Sequence, residues 1–303
     1  MNLFKLLFLT LLFFIGCENT TPKDSYMPTY ASSPALIKQE YIFGVHPLHN
    51  PKRLFEVYQP LMDYLNTHLG EKLFRLEASK NYDEFDKKLF SAHFDFALPN
   101  PYQTLKSIEH GYTIFGKMSD DHNFRGIILV RKDSSIHHVS DLKGKTVSFP
   151  APTALAATMM PQRFLHDNGL NITNDIESLY VGSQESSIMN VYLGKSAAAS
   201  TWPSPWFSFI KERPEVAEEF KVMWETPSLP NNGLVAKKTL DASLVHRVSE
   251  LLLNVHTSPE GQRILEAMQL SRFEPANNAS YEPVKLFLEK FERDVRAIRL
   301  NND

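Results

Sequence analysis

The most informative part of this 303-residue sequence runs from Gly126 to Leu165: GIILVRKDSSIHHVSDLKGKTVSFPAPTALAATMMPQRFL. Residues 127–130 are a short apolar run, and residues 146–149 are rich in β-forming side chains that alternate in polarity, so each run predicts a strand. Between them, residues 140–145 (SDLKGK) have the composition of a turn. The first half of the stretch therefore predicts strand, turn and strand.

The second half of the stretch predicts a loop followed by a helix. The prolines in residues 150–153 end the strand, and a helix is expected from about 154 to 168, with Thr153 as its N-cap and Gly169 just beyond its end. Open α/β sheets bind ligands between a strand's carboxyl end and a helix N-terminus, where free backbone N–H groups favour anions. No residue with a recognisable catalytic role lies on this loop, so it predicts a binding site rather than a reaction site.

Strands and helices alternate along the rest of the chain. Apolar side chains recur at helical spacing from about 55 to 69, where Gly70 ends a helix, and residues 73–76 and 94–98 predict strands on either side of another helix. Such alternation predicts a mostly parallel sheet. Residues 200–207 contain two prolines and two tryptophans and are expected to form a rigid loop.

Short motifs stand at several further places along the chain: Phe43-Gly44-Val45, Asp95-Phe96-Ala97, Asp141 to Gly144, Gly182 to Ser187 and Thr257 to Gln262. By the order and spacing of these motifs, residues 40–290 resemble the phosphate/phosphite/phosphonate-binding proteins of ABC importers. These are type II periplasmic solute-binding proteins. The resemblance implies an α/β fold of two lobes, each a mostly parallel sheet flanked by helices, with two hinge crossings between them.

The length of the chain also suggests two domains rather than one. We expect the chain to leave the first lobe near residue 127 and to return near residue 228. This places lobe one at 40–127 plus 228–303 and lobe two at 128–227. Two crossings imply a hinge, with the ligand bound in the cleft between the lobes and the lobes closing over it.

The N-terminus has the pattern of a signal peptide. A basic start is followed by an apolar run that is too short to span a bilayer, and residues 1–16 are expected to be removed. Phe14-Ile15-Gly16-Cys17 resembles a bacterial lipobox, with Phe14 in place of the usual Leu, so Cys17 is expected to carry a lipid. The alternative is a plain secretory peptide with an incidental cysteine. Residues 17–39 then form a flexible tether, and the protein is expected on the extracytoplasmic or periplasmic face of a bacterial membrane.

Composition excludes several classes of protein. The net charge of −3 argues against a nucleic-acid-binding face, and the single cysteine allows no internal disulfide. His46 and His49 lack the clustered third ligand of a metal site. We therefore expect no metal and no cofactor. The sequence has no Gly-x-Ser-x-Gly elbow, and we expect a monomer that is not an enzyme.

The resemblance also indicates which residues would contact a ligand. In the family, a run of Ser and Thr at a helix N-terminus of the second lobe holds phosphoryl oxygens together with backbone N–H groups. Here that run reads TALAAT, in which Thr153 keeps one hydroxyl. Ala154, Leu155, Ala156 and Ala157 contribute backbone N–H groups only. The family's ligand His is replaced by Gln184, and its acidic residue in the second lobe by Ala197. Binding of phosphonate itself is therefore an open question at this stage.

Further ligand contacts are expected from both lobes: His46, Tyr82, Asn100, Tyr102, Arg125 and Trp202. His46 ends the first strand, and Arg125 would supply positive charge at the first crossing. For the two tyrosines, packing at the lobe edge is an equal alternative, and Trp202 is as much expected in the core as at the ligand. The aromatic side chains predict an apolar wall beside the anion, and the competing hypothesis is that this wall binds a cation face-on.

Two function classes follow from these observations. The first is a solute-binding lipoprotein that captures a small anion, phosphonate-like or another oxyanion, and delivers it to the permease of an ABC importer. The second is a periplasmic sensing subunit that presents its closed, liganded form to a histidine kinase or receptor. The fold does not distinguish between them.

Overall fold

The computed structural model describes residues 40–70 and 73–298, which belong to one compact unit. The predicted signal peptide, lipidated Cys17 and tether lie outside the described residues. Within them the strands are β1 (Glu40–Val45), β2 (Leu73–Glu77), β3 (Phe96–Leu98), β4 (Tyr112–Met118), β5 (Ile127–Arg131), β6 (Lys145–Phe149), β7 (Ile176–Tyr180), β8 (Ala198–Thr201), β9 (Phe220–Glu225), β10 (Gly233–Lys237) and β11 (Phe273–Glu274).

The helices of the same residues flank these strands. They are α1 (Pro51–Leu69), α2 (Tyr82–Phe90), α3 (Pro101–Glu109), α4 (Met160–Asp167), α5 (Gln184–Tyr192), α6 (Pro203–Glu212), α7 (Pro214–Ala217), α8 (Ala242–Asn254), α9 (Pro259–Met268) and α10 (Glu282–Asp294). A search of the described helices finds none with the length and apolar character needed to cross a membrane.

The strands form two sheets. One has the order β11-β4-β10-β3-β1-β2 and the other β7-β6-β8-β5-β9. β1 pairs in parallel with β2 and β3, and β6 with β7 and β8, as the alternation of strands and helices predicts. β5 and β10, which follow the two crossings between the sheets, pair antiparallel with their neighbours. Each sheet is therefore mixed, with a parallel part and antiparallel strands where the chain enters from the other sheet.

The two sheets take their strands from different parts of the chain. The first sheet uses residues 40–118 and 233–274, and the second uses residues 127–225. This arrangement agrees with two crossings near residues 119–126 and 226–232. The division into two lobes that move as separate bodies stays a prediction.

Strand β5 shows how the second sheet is buried. All four apolar side chains of its IILV run are buried. Ile128 and Val130 pack into one apolar cluster, whereas Ile127 and Leu129 pack into another. Since successive side chains of a strand point to opposite faces, helices must cover both faces of this sheet.

The helix after β6 differs from the one predicted. It begins with a π-helical turn, Leu155–Met159, and continues as α4; no side chain caps it, and the predicted N-cap role of Thr153 is wrong. The reason is that the Thr153 hydroxyl donates to the carboxylate of Asp86 instead, at 3.1 Å. Gly169, with φ +93°, lies just beyond the end of α4, as predicted.

The rigid loop predicted at residues 200–207 is also wrong for most of its length. Trp202 ends the extended segment, and Pro203 is the first residue of α6. Proline is tolerated in the first turn of a helix, because the N–H that it lacks has no partner there. The two prolines therefore start a helix rather than prevent one.

The two crossings lie side by side and are hydrogen-bonded to each other. The N–H of Gly126 donates to the Thr226 hydroxyl at 2.9 Å, and the N–H of Thr226 donates to the Gly126 carbonyl at 2.9 Å. A Cβ atom on Gly126 would lie 2.6 Å from the carbonyl oxygen of Ala156 and 2.6 Å from the ring of Pro161. A glycine at this position therefore allows the crossings to lie directly against the helix after β6.

We expect Gly126→Ala to destabilise the protein by about 1–3 kcal/mol, because its methyl group overpacks this contact. In a site with space for a methyl group, the same change usually stabilises by about 0.4–1 kcal/mol. The sign of the change therefore tests the close contact, and urea unfolding monitored by tryptophan fluorescence measures it. Unchanged or increased stability would show that the crossing does not lie tightly against the helix.

Candidate functional site

A small cavity lies between the residues of the two sheets. The residues that line it come from the ends of strands, the starts of helices and the first crossing: His46, Tyr82, Asn100, Phe124, Ala154, Leu155, Ala156, Ala157, Gln184 and Trp202. The cavity has about 10 Å³ of room for the centre of a water molecule, which is about what one water needs. The candidate site is therefore almost closed in this structure.

One wall of the cavity is backbone. Leu155, Ala156 and Ala157 are buried and belong to the π-helical turn, and their N–H groups precede the first hydrogen bonds of that helix, which Thr158 and Met159 donate to the Ala154 carbonyl at 2.8 and 3.2 Å. The first N–H groups of a helix have no partner within it, and they carry the positive end of the helix dipole. This wall therefore offers several hydrogen-bond donors without any charged side chain.

His46 forms part of the opposite wall, at the end of β1. Its Nδ1 lies 3.0 Å from the carbonyl oxygen of Leu98. Burial lowers the pKa of His46 to about 4, an effect that the Leu98 contact only partly offsets. At neutral pH the imidazole is therefore uncharged. Since a carbonyl oxygen can only accept, the proton of the neutral ring lies on Nδ1.

Tyr82 and Gln184 are the first residues of α2 and α5, which flank different sheets, and their side chains meet at the cavity. The Gln184 side chain donates to the Tyr82 hydroxyl oxygen at 3.3 Å and accepts from the Thr201 hydroxyl at 2.9 Å. The second bond fixes the orientation of the Gln184 amide. Burial raises the pKa of the Tyr82 hydroxyl above its ordinary value, so the hydroxyl keeps its proton and can donate it to a ligand.

A buried carboxyl group, Asp86, lies behind the cavity. It accepts from the Gln103 amide at 2.6 Å and from the Thr153 hydroxyl at 3.1 Å, and the Asn100 amide donates to the Thr153 carbonyl at 3.0 Å. Burial raises the pKa of Asp86 to about 7, although these two hydrogen bonds act in the opposite direction. This network connects helices α2 and α3, which lie between strands of the first sheet, to the loop that follows β6 of the second sheet.

An apolar wall closes the remaining side of the cavity. The rings of Phe124 and Trp202 lie 5.5 Å apart with an angle of 57° between them, and both side chains are buried. Trp202 thus lies in the core and also lines the cavity. The two positions that were alternatives from the sequence, in the core or at the candidate site, are therefore combined in one side chain. Sequence reasoning missed Phe124; its position in the first crossing, next to Arg125, was the available signal for it.

Seven of the ten residues predicted to contact ligand line the cavity: His46, Tyr82, Asn100, Ala154, Leu155, Gln184 and Trp202. The other three lie outside it. Tyr102 lines a larger groove of about 510 Å³ between α3 and α10, and Thr153 binds Asp86. Arg125 donates to a carboxylate oxygen of Glu225 at 2.7 Å and to the His122 carbonyl at 2.7 Å, so its charge is paired away from the cavity.

Sequence comparison identifies a matching family model. The model is described as ABC transporter, phosphonate, periplasmic substrate-binding protein, and it matches residues 43–281. The phosphonates-binding periplasmic protein of Escherichia coli K12 is 21% identical over 163 residues, which are 52% of this chain and 48% of that protein. A probable ABC transporter phosphite binding protein of Prochlorococcus marinus MIT 9301 is 21% identical over 192 residues, 59% of this chain and 63% of that protein. The matched segments thus cover 48% and 63% of the lengths of these two curated relatives.

Solved structures with the same fold cover more of the chain. A binding component of a phosphonate ABC transporter from Pseudomonas aeruginosa superposes with a TM-score of 0.79 at 16% identity, over 85% of this chain and 88% of that one. A Prochlorococcus marinus protein solved with methylphosphonate has a TM-score of 0.77 at 18% identity, over 84% of this chain and 99% of that one. These similarities confirm the type II periplasmic-binding-protein fold.

The buried Asp86 predicts how stability depends on pH. An aspartate in the unfolded chain has a pKa near 4, and burial raises the pKa of Asp86 to about 7, so folding takes up a proton between these values. The contribution of Asp86 to stability is therefore fully present below about pH 4 and is lost as the pH rises through about 7. We expect the free energy of unfolding of Asp86→Asn, relative to that of the wild type, to increase by about 2–3 kcal/mol between pH 5 and pH 8.

Urea unfolding of both proteins at several pH values measures this difference. Asp83→Asn is the matched control, because Asp83 lies on the same helix but is partly exposed and paired with Lys87 at 2.9 Å. The stability of this control relative to the wild type should not increase comparably with pH. A stability difference between Asp86→Asn and the wild type that is the same at every pH would contradict the prediction.

Proposed function

Because this chain belongs to the periplasmic substrate-binding proteins of phosphonate ABC transporters, we propose that it captures a small oxyanion of the phosphonate class in the cavity and delivers it to an ABC importer. The curated relatives are named for binding phosphonates and phosphite, and one structural neighbour holds methylphosphonate. In this chain the role is binding rather than catalysis, and the protein acts as a monomer.

The observation that carries this proposal is the backbone wall of the cavity. Leu155, Ala156 and Ala157 line the cavity next to His46, Gln184 and Trp202. A helix start offers several N–H donors and roughly half a positive charge, which together favour an anion. None of these three side chains has a hydroxyl, so the backbone replaces the hydroxyl groups that the family uses.

The apolar wall and the size of the cavity limit the ligand. The rings of Phe124 and Trp202 favour a hydrogen or a short alkyl substituent over a further charged group. An oxyanion of several heavy atoms occupies more space than one water molecule, so uptake requires the two halves of the site to move apart. The hydrogen bonds from Asn100 to Thr153 and from Thr153 to Asp86 must then break and re-form.

The proposed location follows from the family and from the N-terminal sequence. The relative from Escherichia coli is periplasmic. For this chain we propose anchoring through a lipid on Cys17, which keeps the binding protein beside the permease that receives its ligand. The support for the anchor is the sequence alone: the single cysteine follows directly on a short apolar run.

Replacing one backbone donor tests the proposed site. We expect Leu155→Pro to bind methylphosphonate about tenfold or more weakly than Leu155→Ala, because a hydrogen bond to a charged group contributes about 1.5–3 kcal/mol. Leu155 is the first residue of the helical turn, and Ala154 before it has φ −75° and ψ 99°. This extended backbone suits a residue that precedes proline.

The alanine variant is the control, since it loses the same side chain but keeps the N–H group. Isothermal titration calorimetry of the purified full-length protein measures both affinities, and circular dichroism checks that both variants fold. Equal affinity of the two variants would show that the Leu155 amide does not contact the anion. Binding of quaternary ammonium compounds but of no oxyanion would instead favour the cation hypothesis.

The lipid anchor has its own test. We expect Cys17→Ser to leave the membrane fraction or to remain unprocessed, because serine has no thiol to receive the lipid. Fractionation of cells that express the natural and the variant chains, with mass spectrometry of the N-terminus, measures the outcome. If the variant has mature length and is still recovered with membranes, the lipid is not the anchor.

A further inference from the structure

Most polar groups around the cavity can donate a hydrogen bond. The backbone wall offers N–H groups only. The Tyr82 hydroxyl oxygen already accepts from Gln184, so its own O–H is available to a ligand. The amides of Asn100 and Gln184 each use one N–H in the protein, and their oxygens accept from Gln103 and Thr201. These groups suit the oxygens of an anion.

His46 is different, because its cavity-lining ring offers an acceptor. Nδ1 donates to the Leu98 carbonyl at 3.0 Å, and in a neutral ring the other nitrogen, Nε2, then has a lone pair and no proton. Nε2 has no hydrogen-bond partner in residues 40–70 and 73–298. His46 is 2% exposed and lines the cavity, so a group bound in the cavity is placed to become the partner of Nε2, and that group must carry a hydrogen.

The groups around His46 favour this neutral state. Tyr82 and Phe85 of α2 place their rings about 6 Å from the imidazole, edge to face. Tyr82 keeps its proton, because burial raises its pKa. Arg53 of α1 acts on the neighbouring His49, and a nearby cation disfavours a charged imidazole. None of the residues lining the cavity is an aspartate or glutamate that would stabilise an imidazolium.

We propose that the site selects an oxyanion that still carries one proton, with the ligand's O–H donating to Nε2 of His46 while its other oxygens accept from the backbone wall. This inference rests on the proposed function and names its ligand more closely: a monoanionic phosphonate or phosphite. A fully ionised dianion would place a negative oxygen against the lone pair of Nε2. A sulfonate has the same tetrahedral shape and a single charge but no O–H, so it would leave Nε2 unpaired.

A matched pair of ligands separates these cases. Methylphosphonate and methanesulfonate are both monoanions of similar shape at a pH below the second ionisation of methylphosphonate. We expect the purified full-length protein to bind methylphosphonate at least about 100-fold more tightly, because a site built to bond a ligand hydroxyl rejects an analogue that lacks it. Isothermal titration calorimetry measures both affinities under one condition.

His46→Phe should abolish this preference. It removes Nε2 but keeps a ring, and the Leu98 carbonyl still accepts the backbone N–H of residue 46, at 3.2 Å in the natural protein. We expect the two affinities to come within several-fold of each other, mainly through weaker phosphonate binding. His49→Phe is the control, because His49 lies outside the cavity lining, and it should keep the natural preference.

Nitrogen-15 NMR of the imidazole in the wild-type complex gives a readout that does not depend on any variant folding. We expect Nδ1 to be protonated and Nε2 to be an unprotonated acceptor. Equal affinity of the wild type for the two anions, a preference that survives in His46→Phe, or an imidazolium in the complex would each overturn the inference while the proposed function stands. If neither anion binds, the proposed function fails and the inference fails with it.

Discussion

The structure depends on how the backbone N–H groups at the start of one buried helix are satisfied. The apolar side chains of residues 154–160 pack into the core of the first sheet, although this segment follows a strand of the second. A buried N–H group without a partner costs about 1–3 kcal/mol, and nearly all such groups in proteins are paired. Neither threonine of the TALAAT segment accepts from these amides: the Thr153 hydroxyl donates to Asp86, and the Thr158 hydroxyl has no hydrogen-bond partner among the described residues. An anionic ligand in the cavity would satisfy the amides, and this need links the fold to the proposed function.

The same segment is coupled to both crossings between the sheets. Gly126 lies against the Ala156 carbonyl and the Pro161 ring, and it exchanges two hydrogen bonds with Thr226. A rotation of the second sheet relative to the first would therefore change the surroundings of the amides that are proposed to bind the ligand. On the other side of the segment, Thr153 holds Asp86, a carboxyl group whose burial favours the protonated state. In the predicted closure of the lobes, polar bonds form across the cleft while an acid is desolvated, so the net free energy of closure would depend on the pH and on the ligand.

The parts of the fold and site that sequence predicted are those governed by local rules. Strand positions and Gly169 beyond a helix follow from apolar periodicity and from glycine. The grouping of His46 with Asn100, and of Leu155 with Gln184, follows from the rule that parallel strands end at one edge of a sheet. Sequence did not reveal that Thr153 would bond to Asp86, a partner 67 positions away along the chain. It also could not show that Arg125 pairs with Glu225. Both contacts depend on tertiary packing, which competes with the local preference of each side chain.

The charge of the cavity bears on which ligand it can hold. Its lining residues include no lysine or arginine, so the positive potential comes from backbone amides and from a helix dipole worth roughly half an elementary charge. A dianion desolvated in such a site would remain largely uncompensated, and burying uncompensated charge is strongly unfavourable. A monoanion is much closer to what the dipole and the amides can balance. The neutral state of His46 acts in the same direction, since its Nε2 requires a hydrogen from the ligand. The electrostatic argument favours a monoanion and the hydrogen-bond argument favours a ligand with an O–H group, and a phosphonate or phosphite that keeps one proton satisfies both.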